Sequence, residues 1–125
     1  METNPESRFD RLQLFVPEGE RASKTIPVDL HDRWVVKLLR LCGRLFGGAT
    51  SYGRGVGVWE DGSTLEWDRV TVIESWLDLA TEDLCRKLAR LRLALREMGK
   101  MLDQKAVFLV LGDEIDTMEI GRDEG

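Results

Sequence analysis

Leu84, Leu88, Leu91, Leu95, Met98 and Leu102 step along the chain by 4, 3, 4, 3 and 4 residues. Only an α-helix gathers side chains at that spacing onto one side, so a long one-faced helix must exist here and must lie on an apolar surface. A second seam has the same property. Trp34, Leu38, Leu41 and Leu45 recur at helical spacing, with Val35, Cys42 and Phe46 widening the stripe. Asp29 is the expected N-cap of this first helix, which runs to about Phe46 and ends at Gly47-Gly48. Thr81 is the expected N-cap of the second, with Glu82 and Asp83 in its first turn.

The surface that both helices need is supplied by residues alternating at period two. Leu12, Leu14 and Val16 alternate with Arg11, Gln13 and Phe15 in a first strand over 9–16, stopped by Pro17-Glu18-Gly19. A polar connection follows over 18–28. Strands over 56–60 and 65–76 flank Asp61-Gly62-Ser63, a hairpin signal, and the second is long enough to require a bulge or bend. A buried strand over 106–111 and a short edge strand over 115–120 complete the set. The order is β-α-β-β-α-β with an extra C-terminal edge strand. It predicts an α+β, ferredoxin-like domain over 9–120, with two helices on one face of an antiparallel sheet. Residues 1–8 and the acidic stretch 121–125 are expected to be flexible ends.

With 42% hydrophobic residues in 125, the chain can bury a core. No uninterrupted apolar run approaches the length of a membrane-spanning helix. Residues 1–6 lack the basic-then-apolar pattern of a secretory signal, and Cys42 and Cys85 are the only cysteines. A reducing cytoplasm without disulfides is expected.

The formal charge of −5 is unevenly laid out. Residues 25–50 and 82–105, the two helices, balance at +2 and +3, whereas 60–78 and 112–125 each balance at −5. Oppositely charged outer faces aid solubility, and a basic helical face also suits an acidic partner. The balance is too acidic overall for nonspecific nucleic-acid binding, so a nucleic-acid partner is not expected.

Five glycines in eleven residues mark 47–57. Successive backbone N–H groups of such a loop can cradle a phosphate, with Arg54 at hand. The segment nevertheless follows a helix and enters a strand, the reverse of a P-loop, and Arg54-Gly55 stand where Lys and Ser/Thr are required. Glycine at a helix end with positive φ is the structural alternative. Glu60, Asp61, Glu66, Asp68 and Glu74 crowd the hairpin, and Glu60, Glu66 and Asp68 are the candidate ligands of a divalent metal in a phosphodiesterase or nuclease. His31, the single histidine, is expected to cap or to face solvent. The two cysteines are expected to be buried structural thiols. The hairpin carrying Trp59 and Trp67 is acidic, unlike the strand aromatics on which RNA bases stack.

Thr25-Ile26-Pro27, Phe46-Gly47-Gly48-Ala49-Thr50, Gly57-x-Trp59, Glu66 followed by Val70-Thr71-Val72, and Gln104-x-x-Val107 together form a pattern. Over roughly 25–110 it resembles small uncharacterised bacterial proteins with F-G-G-A-T, G-x-W, a hairpin glutamate and Q-x-x-V. The resemblance implies a bacterial cytoplasmic origin. It nominates Gly47, Gly48, Thr50, Trp59, Glu66 and Gln104 as site residues, and the loop argument adds Arg54.

No catalytic constellation stands out, and Leu93, Met101 and Cys85 lie outside the second seam. These features point to a non-catalytic interaction module, self-associating or part of a larger assembly, without a cofactor. The alternatives are the metal-dependent phosphodiesterase and a small-ligand sensor with a pocket at the glycine-rich loop, walled by Tyr52 and Trp59.

Overall fold

The computed structural model describes residues 8–20 and 28–121. The expected flexible ends, apart from Arg8 and Gly121, and most of the 18–28 connection with Thr25-Ile26-Pro27 lie outside the described residues. So do the side chains of Trp59 and Asp61. The elements are β1 (Phe9–Glu20), α1 (Val28–Phe46), β2 (Thr50–Asp61), β3 (Thr64–Asp78), α2 (Leu84–Met101), β4 (Ala106–Leu111) and β5 (Glu114–Glu119). All sheet pairs are antiparallel, in the order β2-β3-β1-β4-β5. This is the ferredoxin-like arrangement with the extra edge strand.

Alternation decides the two faces. Leu12, Leu14 and Val16 of β1 stand opposite Ser75, Ile73 and Thr71 of β3, and all six are buried toward the helices. Trp34, Leu38 and Cys42 of α1 and Leu91, Leu95 and Met98 of α2 pack onto them. Burial in this layer pushes the Cys42 thiol up to about 12, so it is an inert packing group. Arg92 Nε of α2 donates to Asp116 Oδ2 at 2.7 Å, tying the second helix to β5. No described helix is long and apolar enough to cross a membrane.

Several boundaries differ from the expected ones. β1 does not stop at Val16 but runs through Pro17, where the register shifts between Pro17 and Gly19. β4 pairs only with Leu12, Gln13 and Leu14, so the missing N–H of Pro17 interrupts no described ladder on that side. Asp29 lies inside the first turn of α1, one residue past its start, and is not the N-cap. Thr81 is not the cap of α2 either. Asp78 draws the Thr81 N–H onto its carbonyl and the Ala80 N–H onto its carboxylate, which closes a turn. The helix therefore begins three residues later, after Asp83 in the left-handed region with φ 62°. β5 spans Glu114–Glu119, one residue earlier than expected.

The glycine-rich segment is the largest correction. It is not a loop, because β2 starts at Thr50 and pairs with β3, through one register shift between Ser51 and Gly53, down to Asp61↔Thr64. Backbone hydrogen bonding carries a strand that has few side chains to pack. The connection from α1 is only Gly47, Gly48 and Ala49. Gly47 takes φ 93° and returns its N–H to the Gly43 carbonyl, while Ser75 donates to the Gly48 carbonyl. Gly47→Ala should cost about 1 kcal/mol, because an L side chain is disfavoured in the left-handed region. Gly48 has ordinary φ and open space around its Cβ direction, so Gly48→Ala should be close to neutral. Urea unfolding of both variants checks the contrast, and equal losses would contradict it.

His31 and Cys85 also depart from expectation. His31 is buried, with Nδ1 2.9 Å from Asp32 Oδ1 and Nε2 2.9 Å from Thr71 Oγ1, because the first turn of α1 lies on the sheet at Thr71. Cys85 is exposed, since α2 meets the core only from its second turn onward.

At the other end of β3, Arg8 holds the Asp78 carboxyl down to about 2, chiefly through a side-chain hydrogen bond and with help from the Ala80 N–H. A carboxyl depressed below its ordinary 3.8 contributes stability above that value and loses it as pH falls toward 2. In Arg8→Ala, the Asp78 carboxyl resonance followed by NMR should titrate closer to 3.8. An unchanged midpoint near 2 would show that the arginine is not the cause.

Candidate functional site

Both helices cover one face of the sheet, so the other face is left without a covering element among the described residues. Its side chains include Arg11, Gln13 and Phe15 of β1, Val70, Val72, Glu74 and Trp76 of β3, and Phe108 and Val110 of β4, as the register requires. Phe15 and Phe108 stack with ring centroids 4.8 Å apart. Trp76, opposite Arg11 and four residues further along β3 than Val72, is exposed on the same face.

One polar cluster interrupts this apolar floor. The Glu74 side chain is only 11% exposed although it lies on the uncovered face. Gln13 stands directly opposite it and donates Nε2 to Glu74 Oε2 at 3.1 Å. Arg11 Nε approaches the same oxygen at 3.8 Å. Tyr52 donates its hydroxyl to Glu74 Oε1 at 2.8 Å.

A bulge puts Tyr52 there. The register of β2 on β3 shifts between Ser51 and Gly53, so Tyr52 is the extra residue. Gly53 takes φ 81°, and its N–H is 3.3 Å from Ser51 Oγ. Such bulges re-aim one side chain, here swinging a phenol over the carboxylate. The hydrogen bond to Glu74 and its negative charge hold the Tyr52 hydroxyl above its ordinary pKa, so the phenol stays a proton donor at neutral pH.

Glycine then clears the ground next to the pair. Gly53, Gly55 and Gly57 stand opposite Val72, Val70 and Asp68 on this same face. Nothing lies within 4 Å of the Cβ direction at Gly53, and only Val70 atoms do at Gly55. A flat group can therefore lie against the backbone of β2. The result is a side-chain-free strip along β2, a shallow trough, with the little-exposed Glu74 carboxylate, Arg11 beside it, and the Tyr52 ring at one end. A carboxylate beside an aromatic face is a fitting receptor for an organic cation, which it meets with charge and ring quadrupole together.

The residues nominated from the sequence do not converge. Thr50 stands opposite Glu74, and so belongs beside the cluster. Gly47 and Gly48 form the adjacent turn, with the Gly48 carbonyl engaged by Ser75. Arg54 lies on the helix-facing side, 3.2 Å from Glu18. Trp59 and Glu66 pair with each other near the hairpin end, eight residues and about 26 Å along β3 from Glu74. Gln104 turns back onto the Leu102 carbonyl after α2. The metal set is also divided. Glu60 pairs with Leu65, on the face opposite Glu66 and Asp68. Among the described residues, no group of three or more His, Cys, Asp or Glu side chains is placed to hold a metal ion.

No family model and no curated protein matches the chain. Among solved structures, a phage SAM lyase without ligand is similar with a TM-score of 0.65 at 13% identity, covering 99% of this chain and 100% of that one. A phage SAM lyase in complex with S-methyl-5′-thioadenosine is similar at 0.62 and 15% identity, covering 95% of each chain. The periplasmic divalent cation tolerance protein CutA from Archaeoglobus fulgidus is more distant, at 0.47 and 11% identity over 91% of this chain and 85% of that one. The likeness to the phage SAM lyase structures is one of fold along nearly the whole length.

Proposed function

We propose that the uncovered sheet face binds S-adenosylmethionine (SAM) and that the chain cleaves it, releasing S-methyl-5′-thioadenosine. The observation that carries this reading is the Tyr52–Glu74 pair, an anion and an aromatic ring set beside a glycine-cleared strand. A sulfonium is an organic cation, and the nucleoside it bears has the flat base that the trough accommodates. The full-length likeness to SAM lyase structures, one of them holding the thioadenosine, supports the same substrate class.

The chemistry balances without a second substrate. The bond from sulfur to the amino-acid carbon chain breaks, and sulfur keeps the electron pair and leaves as a neutral thioether. The substrate's own carboxylate supplies the pair that the carbon loses, closing a lactone with no proton transferred. Glu74 and Tyr52 then act as positioning and charge-bearing groups that hold the sulfonium end. Calorimetric titration with S-methyl-5′-thioadenosine tests the reading. Saturable binding that is lost in a Gly55→Trp variant, which fills the trough, supports it. No binding, or binding unaffected by that variant, sinks it.

A second reading keeps the chain a non-catalytic, self-associating interaction module in the cytoplasm. It is favoured by large apolar side chains left exposed on two sides: Leu93 and Met101 on α2, and Trp76 and Ile115 on the sheet. Light scattering at high protein concentration tests it, and a strict monomer counts against it.

A further inference from the structure

The far side of the molecule, between α1 and α2, holds a groove of about 670 Å³. Its walls carry Arg33, Lys37, Arg40 and Arg44 from α1 and Arg90 from α2, against the acids Asp32 and Glu97. The four α1 cations recur every three or four residues and so form a row about 16 Å long. Val36, Leu41 and Ala94 line it between the charges. Among the described residues, Arg33 pairs with Asp29 at 3.9 Å and Lys37 lies over the Trp34 ring. Like charges are held side by side here with little internal compensation.

The same chain carries the complement. His31 meets Thr71, which places the start of α1 at that level of β3. The hairpin beyond it projects past the described helices. Its helix-facing residues Val56, Val58, Leu65 and Trp67 are 71%, 45%, 61% and 46% exposed. Glu60 and Glu66 are exposed near the tip of this arm, one on each face. Exposed apolar side chains interleaved with acids match, in both hydrophobicity and charge, a groove with an apolar lining and cationic walls.

We infer that the acidic hairpin arm of one copy docks into the basic inter-helix groove of a second copy. This gives the self-association reading a contact on surfaces other than Leu93, Met101, Trp76 and Ile115. Its groove lies on the opposite face of the sheet from the ligand site, and of the arm's two glutamates only Glu66 is on the ligand-site face. The two surfaces differ, so the contact is head-to-tail, and copies close into a ring or extend as a chain. A single molecule cannot satisfy its own groove, because the arm projects from the other end of the sheet from Arg44.

Native mass spectrometry on three full-length proteins tests the inference: wild type, the groove variant Arg40→Glu/Arg44→Glu, and the arm variant Glu60→Lys/Glu66→Lys. All four substituted positions are exposed, and circular dichroism melts confirm that each variant is folded. Wild type should assemble, and raising salt from about 50 to 500 mM should weaken the assembly. Each variant alone should assemble at least about tenfold more weakly. Mixing the two should restore a 1:1 complex, since one supplies an intact arm and the other an intact groove. Folded variants that assemble like wild type, or a mixture that forms no complex, would overturn the arm-in-groove contact while leaving self-association standing. A wild-type monomer throughout would overturn both, without bearing on SAM cleavage.

Discussion

Glu74→Gln is expected to lower affinity for SAM by roughly tenfold to a hundredfold, because a hydrogen-bonded charge contributes about 1.5–3 kcal/mol to such a contact. Affinity for S-methyl-5′-thioadenosine should change by less than about threefold. The two ligands share the nucleoside and differ in that the first carries a sulfonium charge and the second a neutral thioether. Glutamine keeps the shape of the side chain and its carbonyl can still accept from the Tyr52 hydroxyl, while its amide gives up the Gln13 hydrogen bond and the Arg11 pairing, so the comparison of the two ligands is what isolates charge. The Glu74 carboxylate is held by Gln13 and Tyr52 and little exposed, with the half-exposed Arg11 as its one cationic neighbour at 3.8 Å among the described residues. Parallel calorimetric titrations of wild type and variant with both ligands measure the effect. Equal losses for both ligands would show that the residue shapes the trough without reading charge, and no loss would remove Glu74 from the site.

Leu91→Ala should destabilise the chain by about 2–5 kcal/mol. Leu91 is fully buried where α2 crosses the sheet, packed in the cluster that includes Leu12, Leu14 and Leu109. Removing three carbons there leaves a void that the strands, fixed by their ladders, cannot close. Leu93 on the same helix is 51% exposed, and Leu93→Ala should stay within about 0.5 kcal/mol. Urea unfolding at a fixed, low protein concentration separates the two, since Leu93 is one of the apolar residues that self-association would cover. Losses of similar size would mean that the helical seam does not mark the buried side.

That seam was readable because long periodic patterns report burial directly. Five apolar residues at helical spacing in α2 with Leu102 at its end, and Leu12, Leu14 and Val16 alternating in β1, can be satisfied only by facing one another. The hairpin was equally plain at Gly62, which takes φ 66° between the paired Asp61 and Thr64. The first part of β2, before the expected strand over 56–60, was hidden for the opposite reason. Its pattern Gly53-Arg54-Gly55-Val56-Gly57 offers almost no apolar side chains on one face, so nothing in the sequence separates a strand held by backbone bonds from a loop.

The candidate site was obscured by the same ambiguity. Tyr52 reaches Glu74 only because a bulge adds one residue to β2, and a bulge leaves no signal when glycines surround it. Glu74 stood in the sequence as one of five hairpin acids. What distinguishes it is Gln13 opposite and an uncovered apolar floor around it, both products of strand order. His31 shows how tertiary packing overrides a local expectation. A histidine between two aspartates in a first helical turn reads as solvated, yet that turn is pressed onto Thr71. Asp83 likewise begins α2 because Asp78 had already drawn the preceding N–H groups into its own turn.

The central claim, that the trough beside Tyr52 and Glu74 takes SAM apart, is tested most directly by incubating the purified chain with SAM and following the products by liquid chromatography and mass spectrometry. The account predicts S-methyl-5′-thioadenosine and an equimolar four-carbon lactone, accumulating in proportion to wild-type protein and strongly reduced with Glu74→Gln. Intact SAM after prolonged incubation with folded wild-type protein would contradict it, as would thioadenosine formed equally fast by the Glu74→Gln variant.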